Sequence, residues 1–145
     1  MNNNFYEIQN DWYNEFNKTY MNSMNNNMSN NNLVDPKNGF LRGNMFNNLY
    51  DQYKNYKPAT ITFSNEKEEA LFNLNQISFA MHELNLYLDI HKDDSTMINT
   101  YVNYQNTYNN LLRDYQQKYG PVNVDSITNN TPFTWITNNF PWEVK

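Results

Sequence analysis

A chain of 145 residues with 15 acidic and 10 basic side chains and a pI near 4.8 repels phosphate backbones on average, which argues against nucleic-acid binding. The absence of cysteine excludes a disulfide framework and thiolate chemistry. Charged and aromatic residues each make up 17 %, and 12 tyrosines with abundant asparagine make a polar chain whose amides and phenols also favour self-association.

The opening MNNNFYEIQNDWYNEF has neither a basic n-region nor an apolar h-region, so no signal peptide is expected and the protein is read as made in the cytoplasm. No run approaches the length of a membrane span. Phe5, Ile8, Trp12 and Phe16 recur at helical spacing and predict a short amphipathic helix from Tyr6 to Tyr20, either a docking strip or part of the core. Asn-rich sequence from Met21 to Asn32 has little to bury against the entropy of ordering and reads as a disordered linker. Residues 1–34 thus form an N-terminal extension.

A second segment, residues 35–63, begins DPKNGFLRGNMFNNLYDQYKNYKP. Asp35-Pro36 and Asn38-Gly39 are turn signals, and Gly39 and Gly43 flank Phe40, Leu41 and Arg42. Met45, Phe46, Leu49, Tyr50 and Tyr53 suggest a short helical strip. Lys57-Pro58 opens an extended connector, and the alternation from Ala59 to Phe63 suits a short strand with no evident partner.

Residues 64–145 carry the strongest pattern. Ala70, Leu74, Ile77, Met81, Leu84 and Leu88 lie on one side of a helix spanning about 65–91. Ser64 or Asn65 can cap it, and Glu66, Glu68 and Glu69 suit the positive end of its dipole. His91-Lys92-Asp93-Asp94 turns the chain, with Asp94 or Ser95 as the next cap. Met97, Tyr101, Tyr104, Tyr108, Leu111, Tyr115 and Tyr119 stripe a second helix over 95–119, which Gly120-Pro121 stops. So short a loop makes the helices antiparallel neighbours crossing at on the order of 20°. The fold class is all-α, an antiparallel two-helix hairpin. Leu71, Phe72, Phe79, Leu86 and Ile90 fall off the first stripe, more apolar surface than one partner helix covers. The N-terminal segments, a second copy or another protein would have to supply the cover.

Pro132 and Pro141 exclude a regular helix across the C-terminal TPFTWITNNFPWEVK. Phe133, Trp135, Phe140 and Trp142 read either as interface anchors or as a tail folded back over the hairpin.

Catalytic spacings are missing. Phe79 and Leu88 stand three residues before His82 and His91, where a di-metal bundle would need Glu, and His82-Glu83 lacks the second His of a zincin. Asp89, His91, Asp93 and Asp94 cluster at a helix end, where a solvated, capped turn is the better reading than a weak cation site. No phosphate loop or serine nucleophile motif occurs. The chain reads as a non-enzyme with no cofactor and no metal.

The stretch ELNLYLDIHKDD, within Ile77 to Asp94, and Tyr119-Gly120-Pro121 beyond it resemble the two signatures of the spore coat CotJB family. Ile90 stands where that family commonly has Thr and Lys92 where it has Pro, and the resemblance runs from about Glu68 to Lys145. GFLRGNMFNNLYDQY further resembles the C-terminal motif of CotJA, a small coat protein. The resemblance implies a binding protein of the endospore coat, made in the mother cell and deposited on the forespore. Its implied partners are a CotJC-like manganese catalase and other coat proteins, with self-association also open. Phe79, Leu86, Phe133, Trp135, Phe140 and Trp142 are the candidate contact residues. A chaperone-like or regulatory module outside the spore is the alternative.

Overall fold

The computed structural model describes residues 32–49, 54–58 and 60–127, together with residues 131, 133 and 135. Three α-helices occur among them: α1 (Pro36–Arg42), α2 (Glu66–Ile90) and α3 (Ser95–Tyr119), followed by a 3-10 turn at Val124–Ser126. The expected all-α fold is therefore present. The expected helix over Tyr6 to Tyr20, the linker up to residue 31, and Tyr50, Tyr53, Phe140 and Trp142 lie outside the described residues.

The hairpin forms where the periodicity places it, and its ends are fixed by side chains. Asn65 caps α2 by accepting the Glu68 N–H at 2.9 Å, while Glu68 reaches back to the Ser64 N–H at 2.9 Å, a variant of the capping box. Asp94 caps α3 by accepting the N–H groups of Thr96 and Met97, each at 3.1 Å. The helices run antiparallel. At the open end, the Tyr119 hydroxyl lies 3.5 Å from Glu66. At the turn, Tyr87 meets Asp94. Leu74, Ile77, Ala80 and Leu84 of α2 bury themselves against Met97, Tyr104 and Leu111 of α3.

Part of the surplus face of α2, around Phe72 and Phe79, is covered from within the chain. Residues 32–47 form a strap laid along α2, with α1 at its centre. Asp35 caps α1 and accepts the Asn38 N–H at 3.1 Å, and Pro36 occupies the first turn, where its missing N–H costs nothing. Gly43 ends α1 at φ 79°, a left-handed conformation that favours glycine. Gly39 leaves room for a close approach, because a Cβ there would run into Met45 Sδ. The chain then returns beside its own entry. Leu33 and Phe46 form an antiparallel bridge, with Val34 N–H donating to Met45 O and Asn47 N–H to Asn32 O, both at 2.9 Å.

This arrangement corrects two expectations. The helix lies at Pro36–Arg42, in the stretch read as turns, whereas residues 45–49, read as the start of a helical strip, make bends and the bridge. A capped helix start and a glycine stop seven residues apart outweigh turn chemistry. The connector forms no strand among its described residues, having no second strand to pair with. Three buried aromatic and aliphatic side chains, Leu33, Met45 and Phe46, join the hairpin's core, so the strap completes a core that two helices leave thin.

Candidate functional site

Phe72, Phe79, Leu86 and Ile90 follow one another along the outer side of α2, and the strap divides them. Phe40 meets Phe72 and Phe79 edge-on, with ring centroids 5.5 and 5.7 Å apart, and Phe63 from the connector adds a tilted contact to Phe72 at 5.2 Å. Phe79 is thereby half-buried. Beyond the strap's edge the cover stops: Leu86 is 50 % and Ile90 80 % exposed. These two residues, together with Phe133 at 49 %, expose apolar side chains to solvent. Trp135 is half-buried, and Phe140 and Trp142 lie outside the described residues. Sequence spacing alone singled out Phe79 and Leu86 together; the structure separates them, one behind Phe40 and one in the open.

The turn end of the hairpin is the most tightly bonded part. Phe46 stacks on Tyr87 at 5.0 Å and 25°, and Tyr87 stacks on His91 at 4.0 Å and 7°, a column of three rings. The Tyr87 hydroxyl donates to Asp94 at 3.0 Å. His91 Nδ1 lies 2.9 Å from the Tyr87 carbonyl, which also accepts the His91 backbone N–H at 3.1 Å. The Asp94 carboxyl is held below its ordinary range, chiefly by the Met97 N–H and also by the Tyr87 hydroxyl and the Thr96 N–H. Desolvation, and then the hydrogen bond to Asp94, push the Tyr87 phenol upward. Asp94 and His91 are thus committed to building the turn. Among the described residues no group of three or more His, Asp or Glu side chains is placed to hold a metal ion.

Buried polar side chains lie within the hairpin, and nothing in the sequence pattern marks them. Asn73 and Gln76 are buried on α2, with the Gln76 amide donating to Asn73 Oδ1 at 3.1 Å. Thr107, buried on α3, donates its hydroxyl to the Asn103 carbonyl at 3.0 Å. Glu83 accepts the backbone N–H of Met45 at 3.3 Å, a polar tie between strap and hairpin. Tyr104 is the largest fully buried side chain, and its phenol is driven well above its usual range by burial and by the charge of Asp35. The glycine spacing around Phe40 is the one sequence signal that could have located the strap. Nothing in local periodicity marks a buried Asn or Gln.

No helix among the described residues is long and apolar enough to cross a membrane. No curated protein and no solved structure matches the chain. The family model described as CotJB protein matches residues 68–143, just over half of the chain, spanning α2, the bonded turn and α3 and continuing toward the C-terminus. The strap lies outside that match. The sequence motif that first suggested the family, centred on Tyr87, His91 and Asp94, is the set of residues that builds the turn, and the chain belongs to the CotJB family of spore coat proteins.

Proposed function

We propose that this protein is an assembly component of the endospore coat that acts by binding, and that its partner is a CotJC-like manganese catalase, which it helps to retain. Membership of the CotJB family supports the coat setting. The observation that carries the binding role is the uncovered end of the α2 stripe, Leu86 at 50 % and Ile90 at 80 % exposure, whereas Phe72 and Phe79 on the same helix lie against Phe40. Exposed aliphatic side chains beside a rigid, bonded turn make a small preformed contact surface. Leu86 is the first contact, with the open edge of Phe79 beside it. The tail aromatics Phe133, Trp135, Phe140 and Trp142 serve as further anchors. In this reading residues 35–63, which include most of the strap, are a CotJA-like segment and connector joined to the CotJB module, and the chain is made in the mother cell before entering the coat.

Co-expression with the manganese-catalase-like coat protein tests the proposal. A complex that survives size exclusion at micromolar concentration is expected, along with loss of that complex on Leu86→Ser with Ile90→Ser, both exposed enough to leave the fold intact. Separate elution of the two wild-type proteins, or a complex indifferent to the double substitution, overturns it.

A further inference from the structure

The strap is built as a self-contained unit. Its helix is capped at both ends by its own residues, Asp35 and Gly43, and its entry and exit are clamped together by the Leu33–Phe46 bridge. It grips α2 through a short set of contacts: Phe40 on Phe72 and Phe79, Phe46 on Tyr87, and the Met45 N–H on Glu83. None of these depends on the strap and the hairpin sharing a chain. The strap also lies outside the 68–143 family match, whereas every residue it grips lies inside it.

The connector has more reach than the cis arrangement uses. Tyr56 donates to the Leu41 carbonyl at 3.0 Å, and Phe63 packs on Phe72, the ring that Phe40 also touches. Both ends of residues 57–62 are therefore held near one spot, although six residues can extend to about 20 Å. Fully extended, the chain from Phe46 to Phe63 would span on the order of 60 Å, well beyond the roughly 37 Å length of α2.

We infer that the α2 face formed by Phe72, Phe79, Glu83 and Tyr87 is a docking site for the strap in either arrangement, and that a second copy of this chain can supply the strap in trans. The contacts are identical in the two arrangements, so concentration decides between them. Tethering sets an effective concentration of about millimolar for the cis strap, so dilute chains are closed monomers. At the packing density of a protein shell, neighbouring chains exchange straps at little energetic cost, as in domain swapping. The inference is tested without the catalase partner, whose main contacts would be Leu86 and Ile90 beyond the strap's edge.

Complementation between two full-length variants tests it. Phe40→Asp disables a strap but leaves that chain's face intact. Phe79→Asp disables a face but leaves that chain's strap intact. Each variant alone is expected to run as a monomer at micromolar concentration, and an equimolar mixture is expected to form a one-to-one heterodimer. In that heterodimer the single good strap sits on the single good face. Circular dichroism of each variant checks that the hairpin persists. If either loses its helicity, the milder pair Phe40→Ala and Phe79→Ala is mixed instead and decides by the same criterion. A mixture that stays monomeric while both variants remain helical overturns the inference, as does a heterodimer that survives loss of both straps through Phe40→Asp in each chain.

Discussion

The hydroxyl of Tyr87, near the end of α2, donates a 3.0 Å hydrogen bond to Asp94, the residue that caps α3. One side chain thus ties the last turns of one helix to the first turn of the next. The turn is set by that bond and by the two backbone N–H groups that Asp94 accepts, and it titrates with Asp94. Because the folded pKa is depressed, the stability Asp94 contributes is full above the ordinary carboxylate value near 4 and is lost as pH falls below it through the depressed value. Asp94→Ala is expected to cost about 1 kcal/mol at neutral pH, as loss of a helix cap does. It should also flatten the fall in melting temperature on acidification. Melts of wild type and variant that fall in parallel across the acid range would show that Asp94 is not the group that titrates.

Leu84 is fully buried in the seam between α2 and α3. Leu84→Ala should destabilise by about 2–5 kcal/mol, the range for a large-to-small change in a packed core. Leu84→Asp should cost more, by leaving a charge buried without a partner. Urea titration of the full chain measures both, and a loss under about 1 kcal/mol for Leu84→Ala would place the seam elsewhere.

Asn73 and Gln76 satisfy each other only in part: the Asn73 Nδ2 is buried with no hydrogen-bond partner among the described residues. Removing one amide of such a pair strands the other, whereas replacing both with apolar side chains removes the need for either bond. Asn73→Leu alone is expected to destabilise by about 1–2 kcal/mol, and Asn73→Leu with Gln76→Leu to be neutral or stabilising. The sign of the coupling in a double-mutant cycle decides.

Tyr104 is buried and its phenol raised, so the folded state holds that proton more tightly than the unfolded chain does. Its contribution is complete below the ordinary phenol value near 10 and disappears as pH rises above it. Alkali should therefore unfold the protein cooperatively, with tyrosinate absorbance and loss of helicity changing together. Tyr104→Phe should move that midpoint upward. An unchanged midpoint would assign the transition to other tyrosines, among them Tyr115 and Tyr119, whose phenols burial also raises.

The hairpin was legible because its signals agree at every level. A regular apolar stripe, an acidic first turn, an Asn cap and a Gly-Pro stop all point to the same two helices, and the observed bounds, Glu66–Ile90 and Ser95–Tyr119, fall within one residue of the expected ones. The strap was illegible as structure because its helix is only seven residues long, too short to show a period, and because Asp-Pro and Asn-Gly read equally as turns. Its glycines had a tertiary purpose: Gly39 makes way for Met45, a residue six positions on that no local window connects to it. The candidate contacts were half legible. Spacing identified Phe79 and Leu86 as off the main stripe, and only the placement of Phe40 shows that one is covered and the other open.

The clamp that closes the strap also decides where its entry sits relative to the end of α3. Asn32 is held against Asn47, next to Phe46 and the ring column at the turn, while α3 finishes at Tyr119 beside Glu66, at the far end of α2. Asn32 and Tyr119 therefore stand near opposite ends of α2, a helix roughly 37 Å long.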